Sequence, residues 1–489
     1  MVWVISELLL PVAAVVAGAY FLYKIFKKPP NMPPGPKPHW LFGNIPQMKG
    51  KQTYQAIQDF HKEFGGIYSI SLLTGKVVVI TDWDIFNEAA VTNADAFSDR
   101  FLPPVLDVSI KREGSILFGN GPGWTQRRKF ALPLFHKLDV KSVEERIKFE
   151  ARYLTKKFQE TAQSPFDPLD YVRVVAANVI FNITVGKRYD YEDEESKRMI
   201  KTFNNFFDNV LTVLPLQLAP RLIYTPTHSY FRGYINTIRD YVNAKVAERK
   251  KTFDGSQTTD LIDMFLKEAE KGGNAVVQED LTWRLVLEFF GTGMDAACFP
   301  MLFQLLYCTQ FPDVQKQLQD EIDSVIGPDR EPNYEDKANM PFTQAFLMET
   351  LRFRPMAAID PPNMLFRDVK LAGYDIPKGT RIFFNLWGVL NDQDYWKDPE
   401  VFRPSRFLSE DGKTVIEHER FIPYGLGRRV CLGKNVAKMQ LFLYLTYLLQ
   451  RFSFSIPDED PKPSLDGLQA IQIRPYPYRL RAIPRKDVA

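Results

Sequence analysis

Cysteine is scarce: Cys298, Cys308 and Cys431 are the only three in 489 residues, with no C-x-x-C pair and no even framework. That excludes a disulfide-stapled secreted scaffold and fits a reducing, cytosolic compartment. Histidine is also scarce. His39, His61, His136, His228 and His418 lack the spacing of a zinc or di-iron site and read as surface or satisfied core residues. A net charge of +3 is too small to argue for nucleic acid, and Arg127-Arg128-Lys129 and Arg249-Lys250-Lys251 read as solvated helix faces. Internal repeats, low-complexity tracts and, beyond the first 40 residues, Gly/Ser-rich or charged linkers are all missing. What is there is a chain 45% hydrophobic and 25% charged, the balance of one large globular body with a sizeable core.

Ahead of that body, Val2 to Tyr23 is apolar, interrupted only by Ser6, Glu7 and Pro11. This is close to the ~20 residues that a helix needs to cross a bilayer. Lys24, Lys27 and Lys28 follow the run and Glu7 lies within it, the reverse of a cleaved signal peptide, and the positive-inside bias leaves the body in the cytosol. Residues 1–28 are therefore expected to be a membrane anchor. Pro29-Pro30-Asn31-Met32-Pro33-Pro34-Gly35-Pro36 cannot continue a helix and makes 29–40 a stiff hinge, setting the body, 41–489, at a fixed attitude to the membrane.

Within the body, Ile67 to Leu73 and Lys76 to Asp82 predict a hairpin turning at Thr74-Gly75, and Val369 to Asn385 a strand region broken at Pro377-Lys378-Gly379. Apolar spacing predicts helices over 142–161, 197–212, 229–252, 278–310, 313–326 and 434–452. The fold expected is mainly α with a smaller β part.

The most informative segment is Phe421-Ile-Pro-Tyr-Gly-Leu-Gly-Arg-Arg-Val-Cys431-Leu-Gly433, a cysteine in a glycine-rich loop directly before an apolar helix. Gly425, Gly427 and Gly433 let the backbone turn sharply and approach a flat group. A thiolate at a helix amino terminus is stabilised by free amides and the positive dipole end, and Arg429 adds a cation for an anionic partner.

This loop is similar over its whole length to the haem-binding signature of the cytochrome P-450 superfamily, animal microsomal type, and the resemblance extends from the anchor to the final segment. It implies the cytochrome P-450 fold behind a single N-terminal transmembrane helix, with Cys431 as axial ligand of haem b (iron protoporphyrin IX). Tyr424 stands where the family has phenylalanine, which keeps an aromatic ring near the sulfur and adds a hydroxyl. By the same resemblance Glu349-Thr-Leu-Arg352 and Arg406, within Phe402-Arg-Pro-Ser-Arg-Phe407, form a structural ion network behind the haem. Trp124 and Arg128, and also Arg100, reach haem carboxylates. Pro362-Asn363 replaces the family's proline-histidine, weakening one contact.

Thr292-Gly293-Met294-Asp295-Ala296-Ala297 takes the place of the family's oxygen-activating sequence. There Gly293 is expected to open room for dioxygen and Asp295 to relay protons, but the alcohol that shares this role is missing, since Ala296 has no hydroxyl. Pro300 is expected to kink the helix one turn later. Three readings follow. The first is a monooxygenase inserting oxygen from O2 into a steroid, fatty acid or xenobiotic, fed from NADPH by a cytochrome reductase, with cytochrome b5 as a further candidate partner. The second is a haem-thiolate isomerase, dehydratase or peroxygenase that needs no relay, and the third a haem sensor without catalysis. The resemblance puts the protein in the endoplasmic reticulum membrane, single-pass, with the catalytic domain cytosolic. It draws the substrate pocket from 101–118, 203–216, 289–297, 356–363 and 466–472, including Phe206, Phe207, Leu211, Leu214, Phe289 and Phe290, with Asp360 as a polar contact.

Overall fold

The computed structural model describes Gly18 and residues 29–73, 75–110, 114–136, 140–210, 214–256, 258–270, 281–469 and 472–485. The expected anchor over 1–28 thus lies, apart from Gly18, outside the described residues, as does Leu211. The chain divides into two compact units, the first comprising Met1–Phe101, Ala358–Val389 and Gly425–Arg429, the second Leu102–Ala357, Leu390–Tyr424 and Val430–Ala489.

The first unit is built on a small sheet. Helix α1 (Thr53–Phe64) opens with a capping box between Gln52 and Gln55, and its Tyr54, Ile57 and Phe60 are buried. Ile57 and Phe60 pack with Tyr68, Ile70, Val77 and Val79 into one cluster. Strands β1 (Ile67–Leu72) and β2 (Gly75–Ile80) form the expected hairpin, in register from Ile67↔Ile80 to Leu72↔Gly75. Val77 to Ile80 are apolar on both faces because β2 is central: the sheet order is β1-β2-β6-β3, where β3 is Asn363–Met364 and β6 is Arg381–Phe384, parallel to β2. The strand-like stretch after 369 resolves into β4 (Val369–Leu371), β5 (Tyr374–Ile376) and β6, the break falling at Pro377-Lys378-Gly379 as its turn chemistry implies.

The second unit is helical: α2 (Gly121–His136), α3 (Val140–Glu160), α4 (Leu169–Val185), α5 (Glu194–Val210), α6 (Ser229–Lys250), α7 (Leu261–Glu270), α8 (Thr282–Gln310), α9 (Pro312–Val325), α10 (Pro341–Phe353) and α11 (Lys434–Arg451). Helix α3 buries Val143, Ile147, Ala151, Leu154 and Phe158 along one stripe, the periodic signal that predicts it. Helix α4, which packs along α8, is buried on nearly every side from Val172 to Val185 and so has no polar face to set a period. That is why apolar spacing misses it. Among the described residues α8 alone is long and apolar enough to cross a membrane, yet 78% of its most apolar window is buried in the protein, so it is the core helix of this unit. Its helical span is continuous through Pro300.

Candidate active site

Helix α11 begins three residues after Cys431, with Gly433 as its N-cap. The Cys431 amide donates to the Tyr424 carbonyl at 3.0 Å, closing the loop. Gly425 and Gly427 lie in the left-handed region, at φ +77° and +73°, and a Cβ on Gly427 would overlap the Ala90 carbonyl oxygen. Gly433, at φ −84°, lies outside the left-handed region.

Of the three cysteines only Cys431 is exposed. Burial pushes the Cys298 and Cys308 thiols well above the ordinary range, so neither can offer a thiolate. Helix α2 brings the Arg128 guanidinium to the carbonyl of Val430, the residue before Cys431. Trp124, one turn earlier, is buried; its Nε1 donates to the Ile116 carbonyl at 2.9 Å, and Arg128 lies over its ring at 5.8 Å. The Tyr424 hydroxyl is buried with no hydrogen-bond partner among the described residues, and burial, then the nearby Cys431 charge, hold its proton on.

In the first unit, Arg429 donates through Nε to the Ser98 carbonyl at 2.6 Å. Arg100 is buried, donates to the Pro361 carbonyl and Asn363 Oδ1, and stands 3.0 Å from Asp360. Asp360, expected against substrate, is therefore the counter-ion of Arg100. Asn363 is equally engaged, its amide donating to the Phe97 carbonyl at 2.5 Å.

Helix α8 is buried throughout its middle except for one window, where Thr292, Gly293, Asp295 and Ala296 are partly exposed. These are residues of the expected oxygen-activating sequence. The Asp295 carboxylate lies 3.6 Å from the Arg173 guanidinium of α4, and burial raises its pKa to about 6 against the pull of that arginine. Arg173 could have been noticed as the lone cation in an apolar run, which normally has a buried partner. Because the folded-state pKa is raised, the folded protein holds the Asp295 proton more tightly. Its contribution to stability is full below the unfolded value of 3.8 and is lost as pH rises towards about 6. Asp295→Asn should remove this dependence. Thermal unfolding of the two proteins should show the variant gaining on the parent between pH 4 and pH 7, by on the order of 3 kcal/mol. Parallel curves would contradict it.

Gly293 faces Ile180 of α4, and an added Cβ would lie 2.7 Å from Ile180 Cδ1. The structure thus gives this glycine a packing duty, close approach of α4 to α8. Gly293→Ala should cost about 1–3 kcal/mol in urea unfolding, and Ile180→Val, which removes the opposing methyl, should recover most of it. Of the expected pocket residues, Phe290 is core, its ring 4.0 Å from Phe203 and 4.3 Å from Phe181, and Phe206 is buried against Phe231. Phe207 covers Gly291. One residue that sequence reasoning missed is Glu288, buried on α8, which accepts from the Ile116 amide at 2.8 Å, the Leu117 amide at 3.0 Å and the Ser115 hydroxyl, pinning the segment after Gly114.

A family model for cytochrome P450 matches residues 33–482. The chain belongs to the cytochrome P450 family. It is 32% identical to mouse cytochrome P450 2U1 over 97% of its own length and 94% of that protein's. It is 35% identical to rat cytochrome P450 2D26 and to bovine cytochrome P450 2D14, each over 93% of both chains. It is therefore a P450 of animal microsomal type, a haem-thiolate monooxygenase carrying haem b, and an enzyme, not a haem sensor. Its type implies a redox partner reductase and lipophilic substrates, and its microsomal relatives are endoplasmic reticulum membrane proteins.

This P450 carries a fully buried ion network. On α10, Arg352 binds Glu349 in a two-pronged pair, Nε to Oε2 at 2.7 Å and Nη2 to Oε1 at 2.9 Å, both residues at 0% exposure. The rest of the Arg352 fork donates to the Leu390 and Pro399 carbonyls, while Glu349 also accepts from the Arg403 amide and lies 3.3 Å from Arg406. Arg406 in turn donates to the Trp396, Lys397, Asp398 and Val401 carbonyls. Every nitrogen of the Arg352 guanidinium donates and both Glu349 oxygens accept, which is what a buried pair needs.

Proposed function

We propose that Cys431 is the axial thiolate ligand of haem b in a microsomal monooxygenase acting on a lipophilic steroid, fatty acid or xenobiotic. The observation that carries this is the placement of the one exposed cysteine at the head of α11, with Arg128 delivered to the preceding carbonyl. The donor set fits the group: a thiolate that the free amides and positive end of α11 favour, left-handed glycines, and cations for two carboxylates. When bound, the haem supplies activation of dioxygen and insertion of one oxygen atom into a C–H or C=C bond, with electrons from NADPH through a reductase.

The chain's own part is to bind, orient and exclude water. Arg128, Arg100 and Arg429 are the proposed partners of the haem carboxylates, while Trp124, whose one N–H goes to the Ile116 carbonyl, packs its ring against Arg128. Glu349, Arg352 and Arg406 fix the segment from Pro399 to Arg406 relative to α10, so the chain leading to the cysteine loop starts from a rigid base. In the window of α8, burial lifts the Asp295 pKa to about 6, close enough to neutrality for the carboxylate to take up and release a proton. Residues 1–28 are proposed as a single-pass anchor in the endoplasmic reticulum membrane, 29–40 as its hinge and 41–489 as the cytosolic catalytic domain, with cytochrome b5 as a further electron donor. Ala296, a methyl inside that window, favours a second reading, an isomerase, dehydratase or peroxygenase taking peroxide-type substrates.

The carbon monoxide difference spectrum of the full chain tests this, reduced in parallel by dithionite and by NADPH with microsomal reductase. The thiolate-type band under both is the expected result; a band with dithionite alone, persisting across candidate substrates, would favour the second reading.

A further inference from the structure

Ala296 leaves the window of α8 without the alcohol that the family places there, yet the window contains a hydroxyl. Thr292 lies one helical turn before Ala296, on the same face, since residues four apart on a helix are neighbours. It is partly exposed in the same opening, in a helix otherwise buried through its middle. Its Oγ1 donates to the Glu288 carbonyl at 2.7 Å, which fixes the oxygen's position and leaves its lone pairs turned away from the helix. Glu288 is itself immobilised by the Ser115 hydroxyl and the Ile116 and Leu117 amides. Asp295, three residues on, is the second proton-bearing group within helical reach.

We propose that Thr292 takes over the proton-delivering role lost at Ala296: its hydroxyl turns from the Glu288 carbonyl to pass its proton to dioxygen bound in the window, then regains one from solvent by way of Asp295 and returns to that carbonyl. This rests on the monooxygenase reading above. The balance is simple. Dioxygen that receives two electrons and two protons leaves as hydrogen peroxide; with two further electrons and two further protons its O–O bond breaks and, without organic substrate, it leaves as two waters. About one NADPH is used per dioxygen in the first case and about two in the second. A hydroxyl that delivers protons to the outer oxygen favours the second.

The test uses the full chain with haem, microsomal reductase and NADPH, without organic substrate, in the parent, Thr292→Ala, Thr292→Ser and the double variant Thr292→Ala, Ala296→Thr. Infrared spectroscopy of the reduced carbon monoxide complex gives a readout independent of turnover. Loss of a hydroxyl beside the bound diatomic should shift the C–O stretching band in Thr292→Ala and leave it in Thr292→Ser. In turnover, Thr292→Ala should release severalfold more peroxide per dioxygen consumed, Thr292→Ser should match the parent, and Ala296→Thr should restore the water branch in the double variant. An unmoved band together with an unchanged peroxide yield in Thr292→Ala, in protein that oxidises NADPH, would overturn the role of Thr292 alone. Failure of the parent to oxidise NADPH with the reductase would overturn the monooxygenase reading beneath it.

Discussion

Cys431→Ser is expected to abolish the thiolate-type carbon monoxide band and to lower substrate oxidation by more than ~10²-fold, since loss of mere outer-shell partners of a metal ligand costs about 10–100-fold. A serine oxygen at this position is a poor donor: its alcohol stays protonated near neutral pH and cannot push electron density to iron as a thiolate does. The helix end that stabilises a thiolate gives no comparable help to a neutral alcohol. Cys298→Ala and Cys308→Ala are the controls. Both thiols are buried in α8 and held protonated, so these variants should lose some stability and keep the band. A Cys431→Ser protein that keeps the band would remove Cys431 as the ligand, whatever its activity.

The second large effect is thermodynamic. Glu349→Ala would strand the Arg352 charge at a site with 0% exposure, and breaking a buried pair by removing one partner costs about 3–5 kcal/mol. Against the roughly 5–15 kcal/mol by which native proteins are stable, that is a large fraction. The variant should therefore unfold at much lower urea and incorporate haem poorly when expressed. Arg352→Leu alone should behave alike, for the carboxylate is then the unpaired charge. The double variant Glu349→Met, Arg352→Leu should be less damaged than either single one, because it removes both desolvation costs, though the Leu390, Pro399 and Arg403 backbone groups lose partners. A single variant within ~1 kcal/mol of the parent would show that the pair is not the keystone its burial suggests.

Wherever chemistry was written into a few adjacent residues, the sequence was enough. A cysteine among glycines before an apolar helix can be read directly, as can a hairpin of β-branched residues or an amphipathic stripe such as Val143 to Phe158, because each is a local pattern set by backbone sterics or helical period. Helix α4 escaped because burial on all sides erases the period, and with it went Arg173, the counter-ion of Asp295.

By itself, then, the sequence determined the family, the cysteine, the order of the motifs and the missing alcohol at Ala296, all properties of covalent neighbours. Only the tertiary structure decided what faces what. It turned Gly293 towards Ile180, made Asp360 the partner of Arg100 and Asn363 a clasp on the same guanidinium, sank Phe290 into the core, and opened α8 at Thr292 and Ala296. The physical reason is that contacts between residues far apart in the chain depend on how helices and strands pack in three dimensions, and no pattern of adjacent residues records that arrangement.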